Sequence, residues 1–136
     1  MEHYVLDTSA LFTLRYDEEG ADEVGSLLSS AQRKKSVCHV SFLSFMEYYY
    51  CVWKREGKSA ANKAFLMLKM LPVLRADQED DLLLLAGEIK ASYPLSVIDS
   101  WVAATAIHKK ARLVHKDPEF EPLAGRVELV TLPYKN

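Results

Sequence analysis

Five short apolar runs, at 4–6, 36–40, 73–75, 112–115 and 127–132, are kept apart by longer stretches whose apolar residues recur at helical spacing. Neighbouring strands separated by that much chain pair most simply in parallel, because a parallel neighbour requires a crossover. The intervening stretches carry helix signals. Residues 8–14 suit a short helix, and 17–30 place Ala21, Val24, Leu27 and Leu28 on one face. Ser41 is a natural N-cap for a long helix through Arg55, with Gly57 as its stop. A further helix begins at Ser59 and is closed by Pro72, and Asp77 caps the segment QEDDLLLLAGEIKASY. After Pro94 a last helix spans 96–110, and the turn-rich KDPEFEPLAG leads to the final strand. The pattern predicts an α/β fold around a mostly parallel sheet.

At 136 residues and 49% hydrophobic, the chain is expected to form one domain over 1–136, burying roughly two-thirds of its unfolded surface. Cys38 and Cys51 are too few and too far apart for a zinc or redox pair, which points to reduced cysteines in a cytoplasmic protein. No apolar run approaches the ~20 residues that span a bilayer, so no membrane role is expected. The net charge of −2 carries no footprint of a general nucleic-acid binder.

Four acids do not fit their surroundings. Asp7 follows the first strand directly, and Asp117 follows the strand 112–115 with one residue between. In a doubly wound sheet the carboxyl ends of the strands line the crevice where ligands bind. Glu47, in SFLSFMEYYY, shares its helical face with Leu43, Ser44, Tyr50 and Cys51. Asp99, in LSVIDSWVAATAI, shares its face with Leu95, Ser96, Val102 and Ala103. Neither stripe is a solvated one.

Helix capping explains each acid singly. Ser44 with Glu47, and Ser96 with Asp99, have capping-box spacing. Asp117 before Pro118, and Asp7 before Thr8, suit N-caps. Convergence of all four on one sheet edge is harder to explain by caps alone, and a cap and a site are compatible.

Carboxylates gathered within a few Å repel, and some stay protonated unless a cation is supplied. An all-oxygen set without an accompanying His or Cys cluster suits Mg²⁺ or Mn²⁺ and disfavours zinc. Such an ion activates water and offsets charge on a phosphate, which matches phosphodiester hydrolysis. Without the four acids the net charge of −2 becomes +2, so a metal-filled cleft need not repel a polyanion.

The blocks YVLDTSAL, VSFLSFMEYY, LSVIDSWVAATAI and LVHKDPEFEPL, in that order, resemble those of the PIN domain. More narrowly they resemble the VapC-type toxin ribonucleases of prokaryotic toxin–antitoxin pairs. The resemblance covers nearly the whole chain and implies a three-layer α/β/α sandwich with a central parallel sheet. It implies a metal-dependent endoribonuclease in which Asp7, Glu47, Asp99 and Asp117 bind Mg²⁺ or Mn²⁺ and activate water. Thr8 or Ser9 would support the site through hydroxyl hydrogen bonds. A homodimer and a small antitoxin protein that blocks the acidic cleft are further implications. One position departs from the family: His115 stands where Thr or Ser is usual, and either orients ligands or substrate or packs at the strand end.

Arg33 to Lys35, Lys54 with Arg55, and Lys109 with Lys110 lie near helix ends, on the edge expected to be opposite the cleft. Lys116 and Arg15 are the better candidates for phosphate contact. The aromatic run Tyr48, Tyr49, Tyr50 and Trp53 is expected to serve packing and a dimer or antitoxin surface, with base stacking as the other reading. His3, His39 and His108 are dispersed and receive no chemistry. A phosphotransfer domain with Asp7 as nucleophile would need a second Asp where Ser9 stands. The remaining alternatives are a non-catalytic RNA- or protein-binding module on the same fold, and a housekeeping nuclease without an antitoxin.

Overall fold

The computed structural model describes residues 1–135. Five strands, β1 (Glu2–Leu6), β2 (Ser36–Ser41), β3 (Val73–Ala76), β4 (Arg112–His115) and β5 (Leu129–Thr131), form one sheet in the order β3-β2-β1-β4-β5. Every pairing is parallel. The expected α/β sandwich is therefore found, with a sheet that is wholly parallel. After β3 the chain returns to place β4 on the free side of β1. The strand order thus reverses between β1 and β4, where a doubly wound sheet opens its crevice.

The two-residue alternation of a strand assigns neighbours in sequence to opposite layers. Tyr4, Leu6, Cys38, Val40 and Val114 face a core built with α1 (Thr8–Arg15), α2 (Ala21–Gln32), α3 (Phe42–Glu56) and α4 (Lys58–Met70). Val5 and Leu113 face the other way, onto α5 (Asp80–Ser92), α6 (Val97–His108) and a 3-10 turn at Pro118–Leu123. Val5, Leu6, Leu113 and Val114 are fully buried, each contributing roughly 1.5–3 kcal/mol of apolar burial.

Local chemistry explains most boundaries. Ser41 caps α3, its hydroxyl accepting the Leu43 N–H at 3.3 Å. Gly57 ends α3 at φ +98, a conformation that disfavours side chains, and the same residue opens α4. Two expectations need correction. The helix read over 17–30 starts only at Ala21, because Gly20 at φ +102 turns the chain first. Asp77 does not cap α5; its carboxylate accepts a 2.8 Å hydrogen bond from Arg75 Nε, and the helix begins at Asp80. Among the described residues no helix is long and apolar enough to cross a membrane.

Candidate metal centre

The floor of the crevice is made by β1 and β4. Asp7 continues the sheet for one residue, its N–H donating to the Val114 carbonyl at 3.0 Å, and then caps α1. Its Oδ2 accepts from both the N–H and the hydroxyl of Ser9. The Ser9 hydroxyl in turn accepts the Lys116 N–H at 2.9 Å, so one serine ties the end of β1 to the end of β4. Asp7 Oδ1 is buried without a partner, as is the Thr8 hydroxyl. Of the two hydroxyls expected to support the site, Ser9 makes the hydrogen bonds and Thr8 makes none.

Asp99 arrives from the opposite layer. Ser96 caps α6 by accepting the Asp99 N–H at 3.1 Å, which fixes the acid in the first turn, where the helix dipole favours it. The acid is 8% exposed. Glu47 arrives from α3, in the second turn after the Ser41 cap, and is half-buried. Ser44 forms no capping box with it: the Ser44 hydroxyl is buried and unpartnered. Edge-to-face packing of Phe42 on Trp101, with ring centroids 5.2 Å apart, joins the starts of α3 and α6.

Asp117 caps the 3-10 turn through Oδ1, which accepts the Glu119 N–H at 2.9 Å, with Pro118 in the first position. One carboxylate oxygen each from Asp99, Asp117 and Glu119 lie within 4.8 Å of one another. Glu119 was not singled out in the sequence. The available signal was an acid two residues beyond an Asp-Pro cap, close enough for the turn to carry both to one side. His115 is fully buried at the end of β4. Its Nδ1 accepts the Asp117 N–H at 3.0 Å, which leaves the ring proton on Nε2, 3.1 Å from Thr131 Oγ1. Burial pushes this ring below the usual histidine range, against the opposing influence of Asp117.

The electrostatics bind these acids into one unit. Burial, opposed by the Ser9 bonds and reinforced by the charges of Glu47 and Asp117, pushes Asp7 up to about 6. Burial and then the charges of Asp7, Asp117 and Glu47 push Asp99 up to about 8, helped by a hydrogen bond with Asp117. At neutral pH Asp99 therefore keeps a proton that an exposed aspartate would have lost.

The PIN domain profile matches residues 4–126. The chain belongs to the PIN domain family. No curated protein matches it significantly. Among solved structures, VapBC2 from Rickettsia felis bound to a promoter DNA fragment aligns at TM-score 0.77 and 17% identity, covering 96% of this chain and 99% of that one. DNA-bound VapBC from Salmonella typhimurium aligns at 0.74 and 19%, covering 96% and 98%. VapC20 of Mycobacterium tuberculosis, a toxin that cleaves the sarcin-ricin loop, aligns at 0.72 and 23%, covering 96% and 99%. At these identities the likeness is one of fold.

In this PIN domain the two cations expected to meet phosphate are engaged elsewhere. The Lys116 ammonium is 3.4 Å from Glu18 Oε1 and donates to the Glu19 carbonyl at 2.7 Å. Arg15 pairs with Glu56 at 3.2 Å. Conversely Arg55, expected on the far edge, lies 3.7 Å over the Tyr16 ring and lines a cavity that also reaches Ser9. The short α1, about 12 Å at 1.5 Å per residue, never carries Tyr16 far from the cleft.

The Ser9 bridge yields a stability prediction for this domain. Ser9→Ala strands the Lys116 N–H and takes a donor from Asp7, so unfolding in urea should occur earlier, by roughly 1–3 kcal/mol. An unchanged midpoint would show that the bridge is dispensable.

Proposed function

We propose that this PIN domain is a metal-dependent endoribonuclease, the toxin of a toxin–antitoxin pair, whose site residues are Asp7, Glu47, Asp99 and Asp117. The observation that carries the reading is the buried, unpartnered Oδ1 of Asp7, whose charge opposes the ionisation of Asp99. A bound cation would satisfy that atom and offset the charge gathered around it. The oxygen-only donor set fits Mg²⁺ or Mn²⁺. Asp7, Glu47, Asp99 and Asp117 would hold the ion, with Glu119, whose carboxylate oxygen lies within 4.8 Å of those of Asp99 and Asp117, as a further donor.

When bound, the cation would supply Lewis acidity that offsets phosphate charge and makes water a better nucleophile. The protein's own contribution is positioning and proton handling. Ser9 engages Asp7 Oδ2 and leaves the buried Oδ1 without a hydrogen-bond partner. His115 holds the backbone of Asp117, and Ser96 holds that of Asp99. The proton on Asp99 must leave when the site takes up a cation.

The fold shared with VapBC proteins and with the toxin VapC20 supports an RNA substrate and an antitoxin partner, and the free thiols of Cys38 and Cys51 support a cytoplasmic setting. The homodimer rests on the resemblance in sequence. Single-turnover cleavage of a panel of structured RNAs tests the activity. Cleavage is expected with Mg²⁺ or Mn²⁺, and should disappear in chelator and in Asp7→Asn. Equal cleavage by parent and variant, or none across the panel, would sink the nuclease reading.

A further inference from the structure

Beside the acid cluster lies a cavity of about 270 Å³ that the catalytic scheme leaves unused. It begins at Ser9, whose hydroxyl touches Asp7, and is walled by Phe12, Tyr16, Cys51 and Arg55. Tyr48, Phe12 and Tyr16 form a stack, with Phe12 and Tyr16 centroids 6.0 Å apart, and the exposed Arg55 guanidinium covers the Tyr16 ring, so the outer plane of the guanidinium is the open end of the stack. The volume falls below that of sites for drug-sized ligands and suits a single flat ring system. A guanidinium plane backed by aromatic rings is a surface on which proteins receive unstacked bases of single-stranded RNA.

The polar groups in the cavity narrow the choice of base. Glu18 lines it, and its side chain is 15% exposed. Burial works against the charge, but Lys135 and Lys116 together hold the carboxyl below its ordinary range, so it is an ionised acceptor. Lys116, which also lines the cavity, spends two of its three ammonium N–H groups on Glu18 and the Glu19 carbonyl. The third is left for a ligand. A carboxylate with two acceptor oxygens next to one free ammonium donor complements an edge that reads donor, donor, acceptor. Guanine presents that edge, with N1–H, the exocyclic amine and O6; adenine, cytosine and uracil do not. Lys135, bonded to Glu18 at 2.6 Å but itself exposed, is the group a base would displace, and its charge then lies free for the flanking phosphate.

We propose that this cavity is a base-recognition subsite that takes one unstacked guanine of the RNA, adjacent to the phosphodiester presented to the acid cluster. The proposal rests on the nuclease reading for its RNA but can be tested without activity. The full chain in chelator is titrated with guanosine, adenosine, cytidine and uridine monophosphates and with ribose phosphate, and followed by amide NMR. The guanosine nucleotide should shift the amides of Phe12, Tyr16, Glu18 and Lys116. It should bind about fivefold or more tightly than the others, as expected for one bidentate carboxylate contact. Glu18→Gln should erase the preference. Cys51→Phe, which fills the cavity without removing a charge, should abolish binding, and retained amide dispersion shows that the variant is folded.

Equal responses to all five probes, or shifts confined to the acid cluster, would overturn the subsite. So would guanosine binding unaffected by Cys51→Phe. Metal-dependent RNA cleavage without selective binding would remove the subsite and leave the nuclease. Selective binding in a protein that cleaves no RNA would keep the subsite and remove the nuclease.

Discussion

Asp99→Asn is expected to lower RNA cleavage on the order of 10²-fold or more, the scale seen when groups that bind or organise a metal are lost. It is also expected to raise the unfolding midpoint of the chelated protein. The two effects have one cause. Asp99 is buried among Asp7, Asp117 and Glu47, and in the absence of a cation its ionisation is opposed up to about pH 8. An amide of nearly the same shape removes that opposition along with a donor oxygen. Paired measurement of single-turnover rate and thermal midpoint in chelator checks both. A variant that loses activity and stability together would mean that Asp99 is a structural group.

The second large effect is a reversal of the pH dependence of stability by metal. The folded pKa values of Asp7 and Asp99 lie at about 6 and about 8, above the unfolded value of 3.8. The native state therefore binds more protons than the unfolded chain in this range, and stability falls as pH rises from 3.8 towards 8. His39, held down to about 4 by burial, His3 and Lys109, acts in the opposite sense between 4 and 6.5. The acids are unopposed by it only above 6.5. Urea unfolding in chelator should accordingly give lower stability at pH 8 than at pH 6.5. With millimolar Mn²⁺ the order should invert, because the cation binds the ionised cluster of the native state only. A flat profile in chelator would show that the cluster is more solvated than its burial implies.

How far the sequence foretold these features depended on whether the signal was local. Ser41, Gly57 and Ser96 mark their helix ends by chemistry that acts over three or four residues, and each sits where the pattern placed it. The alternation of Tyr4, Val5 and Leu6 is equally local, and it fixes which layer each strand residue meets. Asp77 misled because a good cap residue also makes a good ion-pair partner, and Arg75 two positions away was overlooked. Arg55 and Lys116 misled for a longer-range reason. Their surroundings are set by how α1 and α3 pack, with Phe12 stacked on Tyr48 at 5.3 Å, and by the return of Glu18 to the end of β4. Glu119 was hidden among the other acids of a turn that reads as solvated. The suspicion about Asp7 came from its position alone. Its depth, its cap and its unpartnered oxygen needed β4 beside it.

The order in which the strands join the sheet has a temporal side. β1, β2 and β3 with α1 to α4 are adjacent in sequence and make their own face of the core, carrying Asp7 and Glu47. Asp99 and Asp117 come from α6 and the segment after β4, which docks against a strand that emerged from the ribosome more than a hundred residues earlier. A nascent chain thus holds half of the acids long before it holds the rest. Whatever these acids do together is withheld until synthesis is nearly over, and a truncated chain that ends before β4 would lack both Asp117 and the strand to which Asp7 is hydrogen-bonded.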